Sequence, residues 1–213
     1  MRETTQARVT CNLISEMTDS APDRALAADR LPGKRDRLVA AAVQLLHQHG
    51  IERTTLADIA QAADVPAGNV YYYFKTKDEI ITAVIEAHAQ QIRATLAAID
   101  ARHGSPKSRL KALMRELAGQ SELVADFGCP FGSLCSELDK RGAAAGLPTG
   151  ELMRLPIAWA EQQFRSLGRA DAHELALDLM AAYEGSALLA NTLRDPTVLS
   201  GSAGRLDRWI DTL

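Results

Sequence analysis

The chain has 213 residues, a formal net charge of -3, and 46% hydrophobic but only 5% aromatic residues. That is enough apolar material for a buried core, and plentiful Ala and Leu beside few aromatics favour helix, so an all-α fold is expected. The mild acidity excludes a global positive field, and any grip on nucleic acid has to come from local geometry. Three cysteines, Cys11, Cys129 and Cys135, are too few and too unevenly spaced for a disulfide framework. A reducing cytoplasm is the expected location, since the N-terminus is polar and no apolar run approaches the roughly 20 residues of a membrane helix.

Residues 1–31 lack sustained periodicity, and Pro22 and Pro32 interrupt any helix starting there, so they read as a mobile N-terminal arm. In a second reading Arg24 and Arg30, backed by Lys34 and Arg35, reach DNA phosphates. From Lys34 the spacing of Leu38, Ala41, Ala42, Leu45 and Leu46 predicts a helix stopped by Gly50. Thr55 and Asp58 form a capping box that opens a second helix at Leu56. Asp64-Val65-Pro66 breaks it, and a third helix is expected from Pro66 to about Phe74.

Thr76 and Glu79 repeat the capping box ahead of a long helix reaching about Arg102, its apolar stripe running through Ile81, Val84, Ile85, His88, Ile92, Leu96 and Ile99. Ser105-Pro106 opens a fifth helix carrying Leu110, Leu113, Met114, Leu117 and Val124 on one face. Gly128-Cys129-Pro130 begins a sixth, ending near Gly142. A seventh lies within 148–168, where Pro156 threatens a kink. An eighth runs from Asp171 to Asp195-Pro196, and a short ninth closes the chain.

Residues 55–74, TLADIAQAADVPAGNVYYYF, have the size and pattern of a helix-turn-helix unit in which the first helix braces and the second reads. Small Ala60, Ala63 and Ala67 are expected to let the helices cross closely, and Gly68 to let backbone approach a phosphate. The run from Arg37 to His88, with Gly50, Thr54-Thr55, Asp58-Ile59-Ala60 and Gly68 through Tyr71, Phe74, Lys75 and Lys77, resembles the N-terminal domain of TetR-family regulators. Two positions depart from the pattern: Asp64 stands where the family often has Gly, and Pro66 where it often has Ser or Thr.

The resemblance implies a three-helix DNA-binding domain over 32–78, a helical effector-binding and dimerisation domain over 79–213, and DNA contacts at Thr55, Ala67, Asn69, Tyr71, Tyr72, Tyr73 and Lys77. The residue chemistry agrees. Asn69 can pair bidentately with adenine, and Ala67 is small enough to meet a thymine methyl. The Thr55, Tyr72 and Tyr73 hydroxyls can donate to phosphates, while Lys77, unfavourable in a first helical turn, gains from a nearby phosphate. Lys75 is a weaker candidate, and packing is the expected main role of Tyr71 and Phe74. From Gly33 to Glu79 six basic residues face six acidic ones. One copy should therefore bind weakly, and a two-fold dimer reading a palindromic operator is expected.

In the second half GCPFGSLCSEL, residues 128–138, resembles a segment of several family branches, some of which respond to multidrug compounds or electrophiles. Two readings of Cys129 stand open: a thiolate favoured by the helix dipole, or an inert buried thiol. Cys135 lies about 9 Å further along the helix, too far for a disulfide with Cys129. His88, Met114, Phe127, Cys129, Phe131, Trp159, Phe164 and Tyr183 are candidates to line an apolar effector pocket. The eighth helix, apolar around much of its girth, is expected to pair with Leu206, Trp209, Ile210 and Leu213 of the ninth and with their copies in a four-helix dimer interface. No metal, cofactor or catalytic site is expected: the chain reads as a ligand-responsive repressor that leaves DNA when a small molecule or electrophile engages its C-terminal domain. An effector-independent regulator or activator and a thiol enzyme using Cys129 are the rival readings.

Overall fold

The computed structural model describes residues 33–141 and 150–213. The arm expected over residues 1–31 and the segment around Pro148 lie outside the described residues. Among those described the chain is helical without strands: α1 (Lys34–His49), α2 (Leu56–Ala62), α3 (Ala67–Tyr73), α4 (Lys77–Arg102), α5 (Pro106–Ala118), α6 (Ser121–Phe127), α7 (Pro130–Lys140), α8 (Gly150–Ser166), α9 (Ala172–Leu193) and α10 (Thr197–Thr212). None is long and apolar enough to cross a membrane.

The first three helices pack around Leu38, Ala42, Ile59, Ala60, Val70 and Phe74, all buried, and Ile80, Ile81 and Val84 of α4 continue the same core. Gly50 ends α1 at φ +77, a left-handed conformation that a side chain would strain. The Thr55 capping box forms as expected: Thr55 Oγ1 accepts from the Asp58 N–H, and the Asp58 carboxylate accepts from the Thr55 N–H. At Thr76 only half of the box forms. Its hydroxyl accepts from the Glu79 N–H, but the Glu79 carboxylate takes the Lys75 N–H at 2.6 Å.

The stretch expected as one fifth helix is two, divided at Gly119-Gln120. Glycine weakens helix continuity by about 1 kcal/mol, and the two pieces serve different cores. Leu110, Leu113 and Met114 join the main cluster, whereas Val124 turns into a second one with Cys129, Met180, Tyr183, Ala187, Ala190 and Leu199. The helix expected to be short at the end of the chain, α10, runs 16 residues. Pro156 sits buried inside α8, where its ring leaves the carbonyl four residues back without an intrahelical donor.

Helix α9 has two apolar faces. Leu175, Leu179, Met180 and Tyr183 are buried within the chain, while Leu177, Leu188, Leu189 and Leu193 are among its most exposed large hydrophobics. The apolar residues of α10 behave differently from expectation: Ile210 is buried, and Leu206, Trp209 and Leu213 pack on the same core, Trp209 edge-on to Phe164. Only Ile210 is fully buried, the other three keeping part of their surface exposed.

Candidate DNA-reading surface and effector site

Helix α3 is held by one face and presented by the other. Val70 and Phe74 anchor it at 1% and 2% exposure, and the Arg35 guanidinium lies 5.4 Å from the centre of the Phe74 ring. The opposite face shows Ala67, Gly68, Tyr71 and Tyr72 to solvent, with Asn69 and Tyr73 half-buried at its flanks. Tyr71 is 57% exposed and Tyr72 78%, so the packing role expected for Tyr71 is corrected, while Phe74 fills it. Ala67 is exposed too, leaving Ala60 and Ala63 as the small residues at the helix crossing. A Cβ on Gly68 would meet nothing within 4 Å, so the bare backbone there faces open space.

The turn between α2 and α3 resolves the departure at Asp64. Its backbone takes φ +50, the left-handed conformation glycine would adopt, and Asp is among the few residues that tolerate it. The Asp64 N–H donates to the Gln61 carbonyl and the Val65 N–H to the Ala60 carbonyl, closing α2 so that Pro66 starts α3. Proline offers no hydroxyl to a phosphate. Thr55 also differs from expectation, because its hydroxyl donates to the Asp58 carboxylate at 2.6 Å. Those hydrogen bonds hold the Asp58 carboxyl below its usual range and occupy the Thr55 donor. Lys75 Nζ donates to the Tyr71 carbonyl, capping the end of α3, and Lys77 stands half-buried in the first turn of α4.

In the body, an open surface pocket of about 540 Å³ lies between α7, α8 and α9, lined by Gly132, Cys135, Ser136, Asp139, Lys140, Met153 and Glu184. None of the eight residues expected to line a pocket borders this one, and six of them are buried. Met114 and Phe164 are in the closed core, and Trp159 Nε1 donates to Asp100 at 3.1 Å. Phe127 stacks edge-on with His47, and Phe131 with His88. Burial, with a smaller push from His47, holds the His88 imidazole down to about 4.

Cys129 sits at the start of α7 as expected, accepting from the Gly132 N–H at 3.4 Å. Of the two readings, burial at 5% exposure fits the packed thiol. Burial, followed by the Glu184 carboxylate, pushes the thiol up to about 12, outweighing the backbone donors that favour the anion. The thiol instead donates to Glu184 Oε1 at 3.3 Å and lies 3.9 Å from the Tyr183 hydroxyl. Sequence reasoning missed Glu184, which joins Cys129 to the cavity. Its charge within an otherwise apolar stretch of α9 was the available signal.

A presented reading helix on a helix-turn-helix scaffold, within an all-helical body, defines a DNA-binding transcriptional regulator. Residues 38–84 match the family model for bacterial regulatory proteins of the tetR family. That match covers the helix-turn-helix region, and over most of its length the chain is similar to HTH-type transcriptional regulators. It is 26% identical over 190 residues to the HTH-type transcriptional regulator TtgR of Pseudomonas putida, covering 84% of this chain and 88% of that protein. It is 25% identical over 185 residues to the HTH-type transcriptional regulator BetI of Burkholderia mallei, covering 84% and 93%. Among solved structures, a TetR transcriptional regulator from Legionella pneumophila superposes with a TM-score of 0.75 at 22% identity, covering 86% of this chain and 98% of that one. The reduced form of Escherichia coli NemR does so at 0.69 and 21%, covering 82% and 96%. These relatives and neighbours are regulators, not enzymes.

Proposed function

We propose that the chain is a homodimeric repressor that reads a palindromic operator through α3 and releases it when a small molecule fills the cavity beneath α7. In this reading residues 32–78 form the DNA-binding domain and 79–213 the effector-binding and dimerisation domain. The observation that carries it is the outward face of α3, where Ala67, Gly68, Tyr71 and Tyr72 stand exposed around Asn69 while Val70 and Phe74 hold the helix down. Asn69 and Ala67 read base edges, and Tyr72, Tyr73 and Lys77 fix register on phosphates. Thr55 serves chiefly as the cap of α2.

The exposed face of α9 supports a dimer. Leu177, Ala181, Gly185, Leu188, Leu189 and Thr192 fall on one side of the helix by its 3.6-residue period, and a Cβ on Gly185 would meet open space. Such an apolar stripe is suited to its own two-fold copy, with the small outward residues Gly201 and Gly204 of α10 beside it. The protonated, buried Cys129 favours a reversible ligand over an electrophile attacking that thiol.

Selection of random-sequence duplexes by the purified protein tests the operator reading. Enrichment of an inverted repeat with half-sites about one helical turn apart is the expected result. Enrichment of nothing at low salt, or of a single asymmetric element, would overturn it.

A further inference from the structure

Helix α7 touches two things at once: one side lines the cavity and the other is tied to the reading head. The tie begins at Gly128, just before the helix, whose carbonyl accepts from His47 Nε2 of α1 at 2.8 Å. Midway along, Glu137 Oε2 accepts from the Ile51 N–H at 2.6 Å. At the far end Arg141 lies 3.3 Å from Glu52 in the α1–α2 loop and 3.3 Å from Asp78 at the start of α4. The exposed Arg141 pairs contribute little by themselves. The Glu137 bond is charge-assisted, and Ile51 is 1% exposed.

Gly50 makes that bond possible. A Cβ there would sit 3.0 Å from both Glu137 carboxylate oxygens, so the residue that ends α1 in a left-handed turn also admits the carboxylate to the next N–H. Gly132, Cys135, Ser136, Asp139 and Lys140 of the same helix border the cavity, with Met153 of α8 opposite. An occupant that displaces α7 therefore pulls on the α1–α2 loop through a hydrogen bond, without first moving α4.

We propose that Glu137 is a positioning residue for operator binding: it carries a change at the cavity wall to the reading head through the Ile51 N–H. The inference rests on the DNA-binding reading above and adds a direct α7-to-head connection to it. Coupling between two sites requires a physical link with different energies in the two states, and a double-mutant cycle measures it.

The test uses the full chain, a duplex enriched by the wild-type protein, and Met153→Trp as a permanent occupant placed on the wall opposite α7. Met153→Phe is a smaller filler that serves if the Trp variant does not fold. Each filler is combined with Glu137→Ala, which removes the acceptor, and with Glu137→Gln, which keeps an oxygen for the Ile51 N–H. Filling is expected to weaken operator binding at least tenfold with Glu137 or Gln in place, and threefold or less with Ala. Amide exchange at Ile51 should quicken at least tenfold in Glu137→Ala while Ile81 and Val84 stay unchanged. Equal weakening in the Ala background, or none in the wild type, would overturn the proposal. If the wild type enriches no duplex, the DNA-binding reading itself falls.

Discussion

The head and the body place their candidate site residues in opposite ways. In the head the proposed contacts crowd onto α3 and its flanks, within about ten consecutive residues, all of them exposed or half-buried. In the body the cavity wall is drawn from three helices, spanning Gly132 to Glu184, and the large aromatic side chains are absent from it. A surface site can be built from one short segment on a held scaffold. An open pocket forms where core packing ends, so its lining is exposed and half-buried residues and not the core's centre.

The sharpest way to break this contrast is at Phe164, which chemistry nominates as a ligand contact and packing places at 0% exposure. Phe164→Ala should cost about 3–5 kcal/mol of stability in chemical denaturation. A near-neutral outcome would mean that the side chain lines a space after all.

Next in size is a pH effect where body meets head. The folded His88 imidazole titrates at about 4 against 6.5 as its ordinary value, so between those limits the unfolded chain takes up a proton that the folded chain refuses. This contribution to stability is complete above about pH 6.5 and is lost as pH falls towards 4, by roughly 3 kcal/mol at most. His47, also lowered by burial, acts in the same direction. Denaturation midpoints measured from pH 7.5 to 4.5 should fall, and His88→Leu should flatten the slope. An unchanged slope in that variant would remove His88 as its source.

In the head, Asn69→Ala should weaken operator binding by about 1–3 kcal/mol and relax the preference at one base pair while leaving the unfolding midpoint in place. A loss of stability instead would make Asn69 a packing residue. The smallest effect concerns Cys129. With its thiol held protonated by burial and by Glu184, alkylation by iodoacetamide should be slow, and Glu184→Gln should speed it by roughly tenfold as read by mass spectrometry. Fast alkylation of the wild type would restore the reactive-thiol reading.

The same contrast explains what was legible in the sequence. The capping box at Thr55, the stop at Gly50 and the span of α4 follow from local rules, and each forms where the residues place it. Asp64 was legible as a departure but not as a solution, since whether it would accept a left-handed backbone depends on the closed turn around it. The break at Gly119 was hidden because Val124 keeps the helical spacing of Leu110 and Leu117 while packing into another cluster. The state of Cys129 hinged on Glu184, 55 positions away, and the link between Glu137 and Ile51 spans 86. Periodicity carries no information about such pairs.

Hydroxyl-radical footprinting of the wild-type protein on its enriched duplex tests most directly whether two α3 helices read DNA together. Two protected tracts related by a dyad, in successive major grooves about 34–36 Å apart, are predicted, and both should fade with Asn69→Ala. Protection of a single groove, or a pattern untouched by that substitution, would contradict it.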